Sequence, residues 1–185
     1  MIRVFVGLEL PEAVRERLYG LRGGVPGARW IEPENIHLTL RFIGNVEEDA
    51  VADIDGTLAR IDFPAFDLEI AGTGEFSRGR RPAMIWAGVA PNPPLIELQR
   101  RIERAVVRLG FPPEGRRYTP HVTLARIKNG APMPVREFIA QNNLLRIAPF
   151  PVTHFTLFSS HRGRRAAHYR AEAAYPLADQ RETAP

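Results

Sequence analysis

The chain reads HLTL at 37–40, HVTL at 121–124 and HFTL at 154–157, three copies of one pattern in a protein with only five histidines. On a β-strand, residues two apart share a face. His37 and Thr39 would therefore present an imidazole and a hydroxyl together, and so would His121 and Thr123. Leu38, Leu40, Val122 and Leu124 would anchor the same strands in a core. Two imidazoles with no carboxylate or cysteine motif beside them suit proton transfer at phosphorus. A neutral ring takes a proton from water, and a protonated ring gives one to the leaving oxygen. An ordinary histidine pKa of about 6.5 lets both forms exist near neutrality. Each positioned transfer is typically worth about 10²–10⁴-fold in rate. The threonine hydroxyls can donate to non-bridging phosphate oxygens.

Position in the chain separates the three copies. Strand, helix, strand, helix, strand is the expected order over 2–72: IRVFVGLE, a helix opened by Pro11, IHLTLRFIG, a helix with an acidic first turn, and FDLEIAG. It recurs with AMIWAGVA, a helix after Pro93 and Pro94, HVTLARI, a short helix over 135–142, and VTHFTLFSS with HYRAEAAY. His37 and His121 are 84 residues apart, as are the RGRR tetrads at 78–81 and 162–165. We read an internal duplication. One bilobal domain spans 1–177, with halves of roughly 1–80 and 81–177 and a flexible tail over 178–185. The Phe63-Pro64 and Phe150-Pro151 pairs set His154 opposite Asp67. HFTL is thus expected to be an ordinary strand, and the working pair is His37 with His121.

Composition limits the alternatives. A chain of 185 residues with 44% hydrophobic content can bury one sizeable core. The absence of cysteine removes disulfides, thiolate zinc sites and a cysteine nucleophile. Neither motif contains Asp or Glu, which divalent sites normally recruit, so no metal or other cofactor is expected. The net charge of +4 and pI near 10.1 suit a polyanion such as RNA only weakly. No apolar run nears the roughly 20 residues of a membrane span, and the N-terminal run is too short for a signal peptide. A cytoplasmic monomer is expected.

FVGLELPE, ENIHLTLRFIG and TPHVTLARIK resemble the bacterial RNA 2',3'-cyclic phosphodiesterases, historically called 2'-5' RNA ligases, of the 2H phosphoesterase superfamily. The likeness runs from Ile2 to about Leu177 and takes in GARWIEP, RRPAMIWAGV and GFPPEGRRYTPHVTLAR. It implies an α+β bilobal fold, with two pseudo-twofold-related antiparallel sheets, outer helices and a central cleft. It implies metal-free hydrolysis of an RNA terminal 2',3'-cyclic phosphate to a 2'-phosphomonoester, and the reverse 2'-5' ligation. His37 would be the proton donor and His121 the proton acceptor, with Thr39 and Thr123 as phosphate ligands.

The neighbours divide less cleanly. Arg126 matches the arginine that closes the family's second motif, but strand parity turns it away from His121. Arg41 has the right parity with His37 and Thr39. Both are candidate phosphate ligands. Tyr118 and Phe5 are candidates to stack on a base, and the RGRR tetrads, with His161 beside the second, could hold further RNA phosphates. Trp30, Trp86 and His168 read as structural. Three readings compete with this one: a metal protein, a non-catalytic module that binds RNA ends, and a sister activity on 2'-5' oligonucleotides or small cyclic phosphates.

Overall fold

The protein was analysed as a computed structural model, which describes residues 1–128, 131–163 and 167–179. Within these the elements run β1 (Ile2–Glu9), α1 (Glu12–Tyr19), β2 (Ala28–Trp30), a 3-10 turn (Pro33–Asn35), β3 (His37–Val46), α2 (Glu48–Leu58), β4 (Phe66–Arg78), β5 (Arg81–Val89), α3 (Pro93–Arg108), β6 (His121–Ile127), α4 (Pro132–Asn142), β7 (Arg146–Val152), β8 (His154–Arg162) and β9 (Ala167–Pro176).

Local chemistry sets the start of α3. Asn92 caps α3 by accepting from the Leu95 amide at 3.0 Å, and Pro93 and Pro94 fill its first positions, where no amide is needed. Leu95, Leu98, Ile102 and Val106 form its buried stripe. Two elements escaped the sequence pattern. β2 is three residues long, and β7 carries Pro149 and Pro151. Proline removes a ladder donor, and β7 tolerates two because it is an edge strand. The stretch expected as one strand over 152–160 is split at Thr153 between β7 and β8.

The strands form one antiparallel sheet in the order β7-β4-β5-β6-β3-β1-β8-β9, with β2 paired to β6 outside that path. The two expected sheets are its wings, which meet where β3 and β6 pair at Leu38 and Val122. If β3 is matched with β6, β1 with β5 and β8 with β4, the order reads the same from either end, as a pseudo-twofold requires. The spatial wings, however, are not the sequence halves. The β4–β5 hairpin turns at Gly79 (φ +63°) inside the first RGRR, and so pairs β4 with the first strand of the second half. The free edge of β1 is then covered by β8, from the far end of the chain. The β6 wing takes β2 and β4 from the first half, and the β3 wing takes β8 and β9 from the second.

Leu38 and Val122 are fully buried and share one hydrophobic core with Ile54 of α2 and Leu98 and Ile102 of α3. α3 packs on β3 and β4, and α4 on β4 and β5. No helix among the described residues is long and apolar enough to cross a membrane. The end of the chain is tied further along than expected. The Ala178 amide donates to the Phe63 carbonyl at 2.9 Å, and the Ala65 amide donates to the Ala178 carbonyl at 2.8 Å. Residues 180–185, and Arg164 and Arg165 of the second RGRR, lie outside the described residues.

Because Leu38 joins the wings and packs under both motifs, Leu38→Ala should cost about 2–5 kcal/mol in urea unfolding. A loss below about 1 kcal/mol would show that the joint is not packed as described.

Candidate active site

The backbone of each motif strand carries the same irregularity. Along β1 and β3 the register passes from Val6 opposite Arg41 to Gly7 opposite Thr39, leaving Leu40 without a partner. Along β5 and β6 it passes from Ile85 opposite Ala125 to Trp86 opposite Thr123, leaving Leu124 without one. The leucine that ends each HxTL is thus the extra residue of a β-bulge, and strand parity reverses after it. Arg41 and Ala125 turn inward, and Phe42 and Arg126 turn to the cleft side.

This reversal corrects the reading of the two arginines. Arg126, which regular parity would have pointed away, lines a cavity of about 300 Å³ with His37, Thr39 and Thr123. Arg41, which regular parity would have placed beside them, is only 6% exposed. It forms an ion pair with Glu103 of α3 and donates to the carbonyls of Phe42 and Pro112. Arg41 is therefore no phosphate ligand here. It fastens β3 to α3 and to the segment that leads into the second motif.

The joint between the wings sets the remaining geometry. With Leu38 opposite Val122 in antiparallel pairing, His37 comes across from Thr123 and Thr39 across from His121. All four side chains are half-buried on the face opposite the leucine and valine. His37 Nδ1 lies 2.7 Å from the Asn35 carbonyl, and His121 Nδ1 lies 2.7 Å from the Thr119 carbonyl. A carbonyl only accepts, so both rings carry their hydrogen on Nδ1 and keep Nε2 for chemistry. Thr39 donates its hydroxyl to His37 Nε2 at 3.0 Å. The Thr123 hydroxyl has only a weak contact, 3.4 Å to the Met84 sulfur.

Aromatic rings wall in both imidazoles. His37 has Phe5 at 4.8 Å, Tyr169 edge-on at 5.1 Å and Phe158 at 6.0 Å between centroids. His121 has Phe76 edge-on at 4.9 Å and Trp86 at 6.4 Å. Gly7 lies beneath His37, and a Cβ there would come within 2.8 Å of the Leu38 carbonyl oxygen, so only glycine lets β1 approach this closely. Phe5, at 3% exposed, is the floor under His37 and has no free face for a base. Tyr118, the other candidate, is half-buried. Its hydroxyl donates to the Thr39 carbonyl at 3.0 Å, pinning the second motif's approach to the first motif's strand. Burial pushes its phenol pKa up.

Burial pushes the His37 pKa down to about 4, helped by the positive charge of Arg126 and by His121 and opposed by the bond to Asn35. His121 is lowered for the same leading reason and by Arg126, against its bond to Thr119. With both pKa values lowered, the site favours neutral imidazoles with Arg126 beside them, an arrangement that suits an anion.

The third copy is built differently. Thr156 is fully buried, and His154 Nε2 lies 3.2 Å from Glu9 Oε2, so the pair does not face the cleft together. His161 bonds Ser159 at 2.7 Å. Arg80 and Arg81 of the first RGRR are exposed at the β4–β5 turn. Among the described residues no three His, Asp or Glu side chains gather as a metal site. Sequence reasoning missed Asn35 and Tyr169. Asn35 is buried, donates to the Ala167 carbonyl at 2.8 Å and accepts from the Tyr169 amide at 3.3 Å. It lies two residues before His37, where a tight buried polar residue was open to notice. Tyr169, on β9, carries no local signal.

The 2'-5' RNA ligase superfamily model matches residues 10–164. An RNA 2',3'-cyclic phosphodiesterase of Aeropyrum pernix is 44% identical over 112 residues, 60% of this chain and 63% of that protein. One from Thermotoga maritima is 32% identical over 135 residues, 69% of this chain and 71% of its own. The relatives come from archaea as well as bacteria. The crystal structure of E. coli LigT complexed with 3'-AMP is 26% identical, with a TM-score of 0.78 over 95% of this chain and 98% of that one.

The lowered pKa values have a direct test. An unfolded histidine titrates near ~6.5, and folding holds His37 near 4, so its contribution to stability is complete above about 6.5 and fades as pH falls toward 4. Imidazole ¹⁵N spectra of the free protein should show His37 neutral, with its hydrogen on Nδ1, at pH 6. Saturating inorganic phosphate should raise its pKa and draw protons from the buffer. A His37 that titrates near 6.5 without ligand would refute this account.

Proposed function

We propose that this chain, which belongs to the 2'-5' RNA ligase superfamily, hydrolyses the 2',3'-cyclic phosphate at an RNA end to a 2'-phosphomonoester. The observation that carries the reading is the Leu38–Val122 pairing, which sets two HxT pairs around one point. The relatives named RNA 2',3'-cyclic phosphodiesterase support the same substrate.

In this mechanism Thr39, Thr123 and Arg126 hold the non-bridging oxygens of the cyclic phosphate. His121 has two aromatic neighbours where His37 has three, and so is the ring that water reaches. Its Nε2 takes a proton from water as the water oxygen bonds to phosphorus. The P–O3' bond breaks opposite the incoming oxygen, and the protonated Nε2 of His37 delivers its proton to O3'. The products are a 2'-phosphomonoester and a 3'-hydroxyl. His121 is left protonated and His37 neutral, and exchange with solvent resets both. His37 is neutral before substrate arrives, so the bound anion must raise its pKa enough to load the proton. If a 5'-hydroxyl replaces water, the same steps form a 2'-5' linkage. The chemistry needs no metal, and one chain supplies every group.

An RNA ending in 2',3'-cyclic phosphate, incubated with EDTA, should yield a 2'-phosphate. A module that only binds RNA ends would bind a 3'-hydroxyl end equally well and turn over nothing. His37→Ala and His121→Ala should each lose about 10²–10⁴-fold in rate. A substrate with a far more acidic 3' leaving group should rescue His37→Ala and leave His121→Ala impaired. Rescue of His121→Ala instead would reverse the roles.

A further inference from the structure

His37 and Tyr169 are shared by two cavities. One is the phosphate cleft. The other, about 240 Å³, lies on the far side of His37 and is lined by His37, Tyr169, Phe158, Arg15, Glu9 and Glu34. β1 runs beneath both, with Arg3 and Phe5 in the cleft and Glu9 in the second cavity. We propose that the second cavity seats the terminal nucleobase of the RNA and selects guanine.

The proposal rests on the reaction geometry given above. If His37 protonates O3', the terminal ribose lies on the His37 side of the phosphorus. Its base and its 5' phosphate must then leave the ribose in different directions. Charge decides which goes where. The cleft end offers the guanidinium of Arg3, set 4.7 Å over the exposed ring of Phe42, and that of Arg126. This end suits a phosphate and the chain that follows it. The second cavity sets two carboxylates against the one guanidinium of Arg15, so it suits a phosphate less than the cleft does, and its polar groups match a base edge.

Guanine fits those groups best among the four bases. It has adjacent N1–H and N2–H₂ donors on one edge, which a carboxylate can accept as a pair, and O6 and N7 acceptors beside them. Uracil has one donor on its pairing edge, and adenine and cytosine have one amino group each. Glu34 supplies an acceptor, and so does Glu9, whose Oε2 also lies 3.2 Å from His154 Nε2. Arg15 supplies a donor: its NH1 donates to the Pro33 carbonyl at 3.3 Å, while its Nε is buried without a hydrogen-bond partner among the described residues. The rings of Phe158 and Tyr169 give the base an apolar wall.

The test uses short RNAs of one sequence that differ only in the terminal nucleotide carrying the cyclic phosphate. The guanosine end should be hydrolysed with kcat/KM about tenfold above the uridine end, and an inosine end, which lacks the N2 amino group, should fall between. Glu34→Gln, with Glu9→Gln as a second variant, should bring the guanosine-to-uridine ratio toward one. Rates within twofold across all four ends would overturn the base pocket and leave the hydrolysis intact. So would a guanosine preference that survives both variants. No hydrolysis of any end would overturn both readings.

Discussion

Everything at the site hangs on one antiparallel contact, the pairing of Leu38 with Val122. Each of these residues stands between the histidine and the threonine of its motif. Their side chains point into the core, so the flanking groups must point the other way. Antiparallel pairing then alternates imidazole and hydroxyl across the joint. No loop has to find a position for a catalytic group, because the backbone ladder and the apolar layer beneath it do so. Sites built on strands in this way hold their geometry by packing rather than by local hydrogen bonds alone. The carbonyls of Asn35 and Thr119 add what the ladder cannot, the rotation and tautomer of each ring.

The paired bulges do the next part of the work. In both strands one inserted leucine turns the following residues over, but the two copies use the turn differently. The first sends an arginine inward to Glu103 and an aromatic ring outward. The second sends an alanine inward and an arginine outward. The two strands thus share one backbone irregularity while the charges that it turns differ. Only one wing turns a cation to the cleft by this route. The other gains a buried ion pair, whose burial is costly unless partners surround it, and Arg41 has Glu103, Glu114 and the carbonyls of Phe42 and Pro112.

Much of this was legible in the sequence, for physical reasons. HxT spacing on a strand dictates a shared face, and the 84-residue repeat identified the copies that belong together. The stripe and proline pair of α3 gave a helix with its start. What stayed hidden depended on contacts distant in sequence. A bulge leaves no mark in composition, because Leu40 and Leu124 are as apolar as a regular strand would want. Regular parity favoured Arg41 and opposed Arg126, so it could not separate the two candidates where the backbone breaks it. Nothing in the sequence shows that the Tyr118 hydroxyl meets a carbonyl 79 residues away. The strand exchange between the halves was hidden for the same reason, since repeated elements reveal their order and not their partners.

That exchange bears on how the chain reaches its fold during synthesis. The first half emerges from the ribosome with β1 and β3 made, but the outer edge of β1 stays open until β8 appears, near the end of the chain. Until then this apolar strand, its core residues Val4, Val6 and Leu8 included, keeps one backbone edge open. Open edges of this kind recruit other strands. A messenger cut short before β8 would leave a fragment prone to stick to its copies, whereas the completed chain closes both wings together.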